Sequence, residues 1–483
     1  MNEKLNDALN EIRDVHIQEA AKGKPKRKLV WIGAVAAILA VAVLVSALYP
    51  GFTGLITGPV PTHPNPGYSS SLLAKPNYPK LSPHPRDDSD AYWAEYEAWE
   101  QSQQAQYNQP EGYADSLHHF FAESIPEFLS GEGNRAYSPI NVYLAMAMLA
   151  QSAEGTSRQQ ILDLLGSDSM DALQEQAGHV WNAHYQNDGL STLLLANSLW
   201  LGDGYPFRQN TVNTLADRYF ASVFHGNLGT EDSNQQLQDW LNENTGKFLT
   251  EQAQQAKLSE DTAAALVSTV YFSAPWNQKF SKKATAPQTF HTPEGETTVP
   301  FMNTTLSGGP YYQGEDFGAV SLGFSDSNRM WLILPDEGKT PQDLLESGEY
   351  FSLLQNPTGW EEKRICKIHL SLPKFDISSQ SDLVDGMKAL GITDVFDPGA
   401  ANLSGLFDTT SLPNNPYVNQ IDHAVRVAID EEGCTAAAYT IIQAPSSGMP
   451  PEEEVFFTLD RPFLFVITSR DQLPLFAGTV CNP

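Results

Sequence analysis

Apolar residues run without interruption from Leu29 to Tyr49 (LVWIGAVAAILAVAVLVSALY). A helix rising about 1.5 Å per residue makes this run about 31 Å long, the depth of a bilayer core, so it predicts one membrane-spanning helix over 29–49. A cleaved signal peptide is the rival, with Val45 and Ala47 as small-residue marks. The run exceeds the usual apolar region of about 7–15 residues, which favours a retained signal-anchor. Beyond it, Pro59, Pro61, Pro64, Pro66, Pro76, Pro79, Pro83 and Pro85 interrupt the chain and predict an extended stalk. Residues 87–109 are acidic and carry Tyr92, Trp93, Tyr96 and Trp99 at mixed helical spacing. They fit either a helix docked on the following domain or a part of the stalk, and 50–112 is assigned as stalk. From Tyr113 the pattern is that of continuous folded chain. LHHFFAESIPEFL predicts a helix, and NVYLAMAMLAQSA a second one, apolar nearly all round and therefore buried. Strand-like runs follow, including STLLLANSLWL, AALVSTVYF, MWLILP, KIHLSLPKF, AVRVAID and PFLFVITS, with helical segments such as NQQLQDWLNENTGKFL and SDLVDGMKAL between them. Many strands with interspersed helices and no repeat define an α+β domain of about 370 residues, 113–483.

Charge refines this division. The chain of 483 residues carries 29 Lys and Arg against 58 Asp and Glu, a net −29. An acidic protein of this kind lacks the basic surface that phosphate binding requires, so nucleic acid is excluded as a partner. Residues 1–28 hold 7 basic and 5 acidic groups, leaving 22 basic and 53 acidic in the rest. Lys22, Lys24, Lys26, Arg27 and Lys28 precede the apolar run, and the next charge after it is Lys75. The positive-inside rule then places 1–28 in the cytoplasm and the remainder outside, a single-pass cell-membrane protein with an extracellular domain. Three cysteines, Cys366, Cys434 and Cys481, are too few for a disulfide scaffold and too scattered for a zinc ribbon.

Enzyme-like motifs do not survive their context. Gly131–Ala136 (GEGNRA) has dinucleotide-fingerprint spacing but follows a helix, where phosphate cradling needs a strand before it. His118, His119 and Glu123 meet on one helix face without a second ligand cluster, and no G-x-S-x-G elbow is present. Neither a catalytic centre nor a metal or cofactor site is expected. The informative stretch is Asp430–Glu452, DEEGCTAAAYTIIQAPSSGMPPE, which has no charge between Glu432 and Glu452. Small residues come first, then β-branched ones, then a turn-prone PSSGMPP. Two structures suit this pattern: a buried strand followed by a turn, or a loop exposed in one state that becomes a strand in another.

The strings NSLWL, WLNENTGKF, VYFSAPWNQKF, TFHTPEGETTVPFM, LSLPKFDISSQSDLVDGMKALGITDVFD, ANLSGL, HAVRVAIDEEG, DRPFLFVI and LFAGTVCNP resemble the serpin family, in order, across about Tyr113 to Pro483. The resemblance implies three sheets and eight or nine helices in a metastable fold, with 430–452 as the exposed reactive loop. It implies suicide inhibition of a serine protease without cofactor: the cleaved loop inserts into the main sheet and traps the acyl-enzyme as a covalent complex with a monomeric inhibitor. The hinge would be Glu432, Gly433, Cys434, Thr435, Ala436, Ala437, Ala438 and Tyr439. By strand alternation Cys434, Ala436, Ala438 and Thr440 would enter the core, while Thr435, Ala437 and Tyr439 face outward. The family prefers a small residue where this chain has Tyr439, and Thr or Ser where it has Cys434.

Family loop spacing places the reactive bond between Ser447 and Gly448, with Ser446 or Met449 as runner-up. A Ser at that bond suits shallow apolar pockets, so elastase-like or subtilisin-like proteases are implied and trypsin-like ones disfavoured. Ser138, His423 and Trp276 match the family's shutter and breach residues. Asn141 and Ser268 carry Asn and Ser where the family usually has Ser and Asn, an exchanged polar pair. The alternative is a serpin-fold binding protein that inhibits nothing.

Overall fold

The computed structural model describes residues 72–79, 89–187, 191–412, 415–434 and 453–483. The expected tail, the expected membrane helix and the expected reactive loop from Thr435 to Glu452 lie outside the described residues. Among those described, no helix is long and apolar enough to cross a membrane.

The strands form two sheets. In the first the order is β1 (Leu72–Ala74), β5 (Ala221–Gly226), β4 (Thr192–Gly202), β6 (Ala264–Pro275), β14 (Gly433–Cys434), β13 (Asp422–Ile429) and β12 (Phe375–Asp382), with β3 (Gln186–Asn187) beside β4. In the second it is β15 (Glu454–Thr458), β11 (Lys363–Pro373), β8 (Gly295–Gln313), β9 (Phe317–Gly323), β10 (Arg329–Pro335), β16 (Phe463–Thr468), β17 (Pro474–Val480) and β2 (Arg135–Tyr137), with β7 (Ala286–Thr292) beside β8. Three sheets were expected, and the 19-residue β8 is the reason for two. Its first residues, Gly295–Phe301, pair with β7, Phe301–Tyr312 pair with β11, and its last residues, Tyr311–Gln313, pair with β9. Gly308 makes that continuity possible. Its φ of +80° is one that side-chain-bearing residues resist, and the register against β11 skips it, passing from Gly309↔Cys366 to Ser307↔Lys367. The resulting bulge bends β8 so that two expected sheets share one ladder.

Eleven α-helices occur among the described residues, against the eight or nine expected: α1 (Asp90–Tyr107), α2 (Leu117–Leu129), α3 (Pro139–Ser152), α4 (Gly155–Leu165), α5 (Met170–His184), α6 (Gln209–Arg218), α7 (Glu231–Asn244), α8 (Thr250–Gln255), α9 (Pro341–Ser347), α10 (Glu349–Gln355) and α11 (Val384–Ala389). Most of the excess is in one- to two-turn helices such as α8 and α11. Helix α3, apolar on every side in sequence, is buried on every side and packs against both β6 of the first sheet and β17 of the second. Pro139 starts it, at the position where a missing N–H costs nothing. On the opposite face of the first sheet, Leu237, Trp240 and Leu241 of α7 form a second apolar cluster with Ala196, Trp200, Phe224 and Val267.

Part of 50–112, assigned to the stalk, is seated on the domain. Leu72 and Ala74 pair with Phe224 and Val223 and so extend the free edge of the first sheet. The half-buried ring of Tyr78 stacks on Trp181 and Tyr185, each at 5.7 Å between centroids. Helix α1 begins at a Ser89 cap, whose hydroxyl accepts from the Tyr92 N–H at 3.1 Å. Its end is tied down by Gln106, which donates to the Tyr185 carbonyl at 3.4 Å, and by Gln109, whose side-chain oxygen lies 2.7 Å from His179 Nδ1. Truncation of Tyr78 tests whether this seating carries weight: Tyr78→Ala should destabilise the domain by about 1–2 kcal/mol, read from the midpoint of chemical unfolding. An unchanged midpoint would mean that residues 72–79 merely rest on the sheet.

Candidate functional site

The first sheet has a seam at its centre. β4 pairs with β6 from Leu201↔Ala264 to Thr192↔Ser273, and β12 pairs with β13 along its whole length. Between β6 and β13, by contrast, the described residues join only at the two ends. At one end they form a single parallel bridge, His423↔Ser268. At the other, β14 is wedged between them, with Gly433↔Pro275 and Cys434↔Ala274 on one side and Cys434↔Ile429 on the other. Thr269–Ser273 of β6 and Ala424–Ala428 of β13 therefore flank a stretch of about 17 Å in which no described strand runs.

The wedge is a tight one. A Cβ at Gly433 would meet the Ala274 carbonyl oxygen at 2.2 Å and the Pro275 Cα at 2.7 Å, so only glycine lets the hinge approach β6 this closely. Cys434 is buried, as its alternation parity requires. Trp276 holds the segment just before: its backbone N–H donates to the Glu432 carbonyl at 2.9 Å and its indole Nε1–H to the Asp430 carbonyl at 2.8 Å. The indole stacks on Phe324, with centroids 4.5 Å apart and planes at 11°. Charge completes the anchorage. Lys279 Nζ and Lys282 Nζ lie 2.7 and 3.2 Å from the Glu432 carboxylate. Lys374 Nζ is 2.9 Å from that of Glu431, which also accepts from the Thr285 hydroxyl at 2.8 Å. The hydrogen bond from Lys279 is the main reason the Glu432 carboxyl stays below its usual range, with burial opposing it. At Glu431 burial is the larger influence and pushes upward, yet the donors from Lys374, the backbone and Thr285 together outweigh it.

The closed end of the seam is polar and buried. Ser138 N–H donates to His423 Nε2 at 3.1 Å, and its hydroxyl donates to the Leu475 carbonyl at 2.7 Å instead of capping α3. This ties the helix, the seam and the second sheet together at one residue. Tyr137 presents its ring to the imidazole, 5.5 Å between centroids. Asn141 and Ser268, the exchanged pair, do meet: Ser268 Oγ lies 2.6 Å from Asn141 Oδ1 and 2.7 Å from Asn197 Oδ1. One hydroxyl proton serves only one of these oxygens at a time, and Asn141 Nδ2 is buried with no hydrogen-bond partner among the described residues. The bridge residue is thus held between two asparagines, one on α3 and one on β4.

The structure places Glu432, Gly433, Cys434, Trp276, Ser138, Asn141, Ser268 and His423 along one seam. Thr435, Ala436, Ala437, Ala438, Tyr439, Ser447 and Gly448 lie outside the described residues. Asn197, Lys279, Lys282, Lys374, Thr285 and Glu431 belong to the site and were not singled out in sequence. Asn197 and Lys279 lie inside the family-like strings NSLWL and VYFSAPWNQKF, whereas no local pattern reports that Lys374 reaches Glu431 across 57 positions. GEGNRA runs from the turn after α2 into β2, the wrong order of elements for a dinucleotide. His118 packs against the Phe351 ring.

Comparison with known proteins identifies the architecture. The family model described as "Serpin (serine protease inhibitor)" matches residues 119–483. Alpha-1-antiproteinase 2 of Equus caballus is 27% identical over 376 residues, covering 75% of this chain and 85% of that protein. Serpin-ZX of Arabidopsis thaliana is 26% identical over 386 residues, covering 75% and 95%. Among solved structures, the thermophilic serpin tengpin in its native state superposes with a TM-score of 0.69 at 24% identity, over 78% of this chain and 95% of that one. Thyroxine-binding globulin in complex with thyroxine does so with 0.65 at 20% identity, over 76% and 99%. The chain belongs to the serpin family, whose members are in the main protease inhibitors and not enzymes.

His423 makes the site testable by pH. Burial pushes its pKa down to about 3, and in the unfolded chain an imidazole titrates near about 6.5. Between those values the unfolded state binds a proton that the folded state refuses, so stability is complete above about pH 6.5 and falls as pH is lowered toward 3. This group should contribute a loss of about 1.4 kcal/mol per pH unit across that window. His423→Gln should be less stable at neutral pH but show a shallower decline; equal slopes of unfolding midpoint against pH would exclude His423 as the titrating group.

Proposed function

We propose that this chain is a suicide inhibitor of serine endopeptidases with elastase-like or subtilisin-like pockets. The protease attacks the carbonyl of Ser447, the peptide bond to Gly448 breaks, the new amine takes the proton held by the protease's general acid, and an ester joins Ser447 to the enzyme. The freed segment then fills the seam between β6 and β13, carrying the protease with it before water completes hydrolysis. The observation that carries this reading is β14. The first two loop-proximal residues already occupy the seam, antiparallel to β6, in the register a full strand would continue.

Extending that register sets Thr435 opposite Ser273, Ala436 opposite Phe272, Ala437 opposite Tyr271, Ala438 opposite Val270, Tyr439 opposite Thr269 and Thr440 opposite Ser268. Ala274, Phe272 and Val270 are buried on the core side, so Cys434, Ala436 and Ala438 would enter a packed face where only small side chains fit. The lysines on Glu431 and Glu432 hold the fixed end, and the His423↔Ser268 bridge is the closure that insertion must break. Further parts of the proposal concern the setting. Residues 29–49 anchor the protein in the cell membrane with the serpin domain extracytoplasmic, and it acts as a monomer that forms its only covalent partnership with the protease.

Tyr439 favours a second reading, a non-inhibitory binding protein. Opposite Thr269 it would face the side on which Val267 packs beneath Leu237, Trp240 and Leu241, and Thr269 itself is buried. An aromatic ring has to displace that cover. The two readings diverge on one experiment: incubation with pancreatic elastase or subtilisin, followed by a denaturing gel, the mass of the released C-terminal peptide and a melting curve. Inhibition predicts an SDS-resistant complex, a peptide beginning at Gly448, and a melting temperature raised by at least about 10 °C in the cleaved protein. Cleavage without a complex and without that rise would overturn the inhibitor reading. Tyr439→Ala should raise the fraction of encounters that end in complex, measured as stoichiometry.

A further inference from the structure

The linker between α7 and α8 crosses the outer face of the seam. Helix α7 ends in a tight turn: Gly246 takes a φ of +58°, and the Lys247 N–H reaches back to the Asn242 carbonyl at 2.7 Å. Lys247 then holds a φ of +64°, which side-chain-bearing residues rarely adopt, and the chain doubles back with the Phe248 N–H on the Thr245 carbonyl at 2.9 Å. This double reversal lays Phe248 on the sheet. On one side its ring meets that of Tyr271 of β6 edge-on, with centroids 6.2 Å apart and planes at 70°. On the other, the Arg426 guanidinium of β13 lies 4.3 Å from the ring centroid, and its Nη1 donates to the Phe248 carbonyl at 2.8 Å. Arg426 is aimed by the neighbouring strand, since its Nε and Nη2 donate to the two carboxylate oxygens of Asp376 on β12 at 2.7 and 2.6 Å. Glu251 of α8 adds a second negative charge near the same guanidinium.

We infer that Phe248 and Arg426 form a latch that joins β6 to β13 across the outer face and has to release before a strand can enter between them. Its position carries the inference. Tyr271 stands three residues from Ser268 of the bridge and three from Ala274 beside β14, and Arg426 stands three from His423 and three from Ile429. The contact therefore falls midway along the stretch in which no described strand runs. Val270, Phe272, Val425 and Val427 are buried in the main core, so by alternation Tyr271 and Arg426 point to the opposite side, where Val267 packs under α7. Of the outward positions 269, 271, 273, 424, 426 and 428, only Arg426 is charged, and all three of its nitrogens have an acceptor. A guanidinium used in this way is a fixed clamp and not a solvated surface charge. Asp376 is half exposed, so the ion pair orients the guanidinium while the carbonyl and the ring supply the hold. That the latch joins the two strands stands on its own geometry; that it limits insertion rests on the inhibitor reading and deepens it.

The test measures hydrogen exchange by mass spectrometry in the full chain and in its Phe248→Ala, Arg426→Ala, Asp376→Asn and Phe248→Tyr variants. Amides of 264–275 and 422–429 should exchange about tenfold faster in Phe248→Ala and Arg426→Ala and about threefold faster in Asp376→Asn, with 329–335 and 463–468 of the second sheet unchanged. Phe248→Tyr keeps the ring and the carbonyl and should match wild type. Exchange in β6 and β13 equal to wild type in every variant would overturn the latch. So would a rise shared by both sheets, the mark of a general loss of stability. The same proteins are then mixed with pancreatic elastase or subtilisin. If wild type forms the SDS-resistant complex, the limiting rate constant at saturating protease should rise at least about threefold in Phe248→Ala. An unchanged constant would overturn the latch as the limit on insertion and leave the inhibitor reading standing. If wild type forms no complex with either protease, the inhibitor reading falls, and the exchange rates alone uphold or overturn the latch.

Discussion

The proposed mechanism depends on the seam between β6 and β13 at the centre of the first sheet. β6 and β13 each have a full partner on their outer sides, yet toward each other the described strands meet only at His423↔Ser268 and at the two residues of β14. Backbone donors and acceptors cannot be left unpaired without cost, so what lies along this seam decides whether those of β6 and β13 are satisfied. A strand of five residues there would make on the order of ten ladder hydrogen bonds, each worth about 0.5–1.5 kcal/mol net. A completed ladder of that kind is the reservoir on which the proposed chemistry draws.

Such a reservoir needs a catch at both ends, and the two catches are of different kinds. At the hinge the forces are local and charged: two lysines on Glu432, one on Glu431, and an indole that takes two carbonyls of the same short segment. At the closed end they are buried and neutral, built on one imidazole that accepts a backbone N–H and one serine shared between two asparagines.

Much of this was legible in the chain. The all-round apolar character of α3 implied its burial, and the alternation from Cys434 implied which side of the strand faces the core, because both follow from the periods of helix and strand alone. The neutrality of 433–451 pointed to the loop for the same reason, since a segment that is to be buried cannot bring charges. What stayed hidden was long-range. Nothing near Gly308 shows that a single bulge would merge two expected sheets, and the pairing of Lys374 with Glu431 exists only once β11, β12 and β13 are assembled. Leu72–Ala74 and Tyr78 were masked by their prolines, which forbid regular structure locally yet permit three residues on a sheet edge, where one side needs no hydrogen bonds. The short helices escaped because one or two turns are too few to establish a period.

The two ends of the loop are attached to different bodies. Its start, β14, belongs to the first sheet, and its finish, β15, is the outermost strand of the second, joined by a five-residue parallel ladder to β11. While the chain is intact, a strand filling the seam draws its residues from a segment of fixed length, and beyond what that slack provides it has to peel β15 from its neighbour. In the proposed mechanism covalent continuity would itself be the lock, with the ladder between β11 and β15 as its bolt. One hydrolysed bond would release the first end and leave the second where it was, so the molecule would count to one: it would change state on a single cut and have no route by which that cut could be undone.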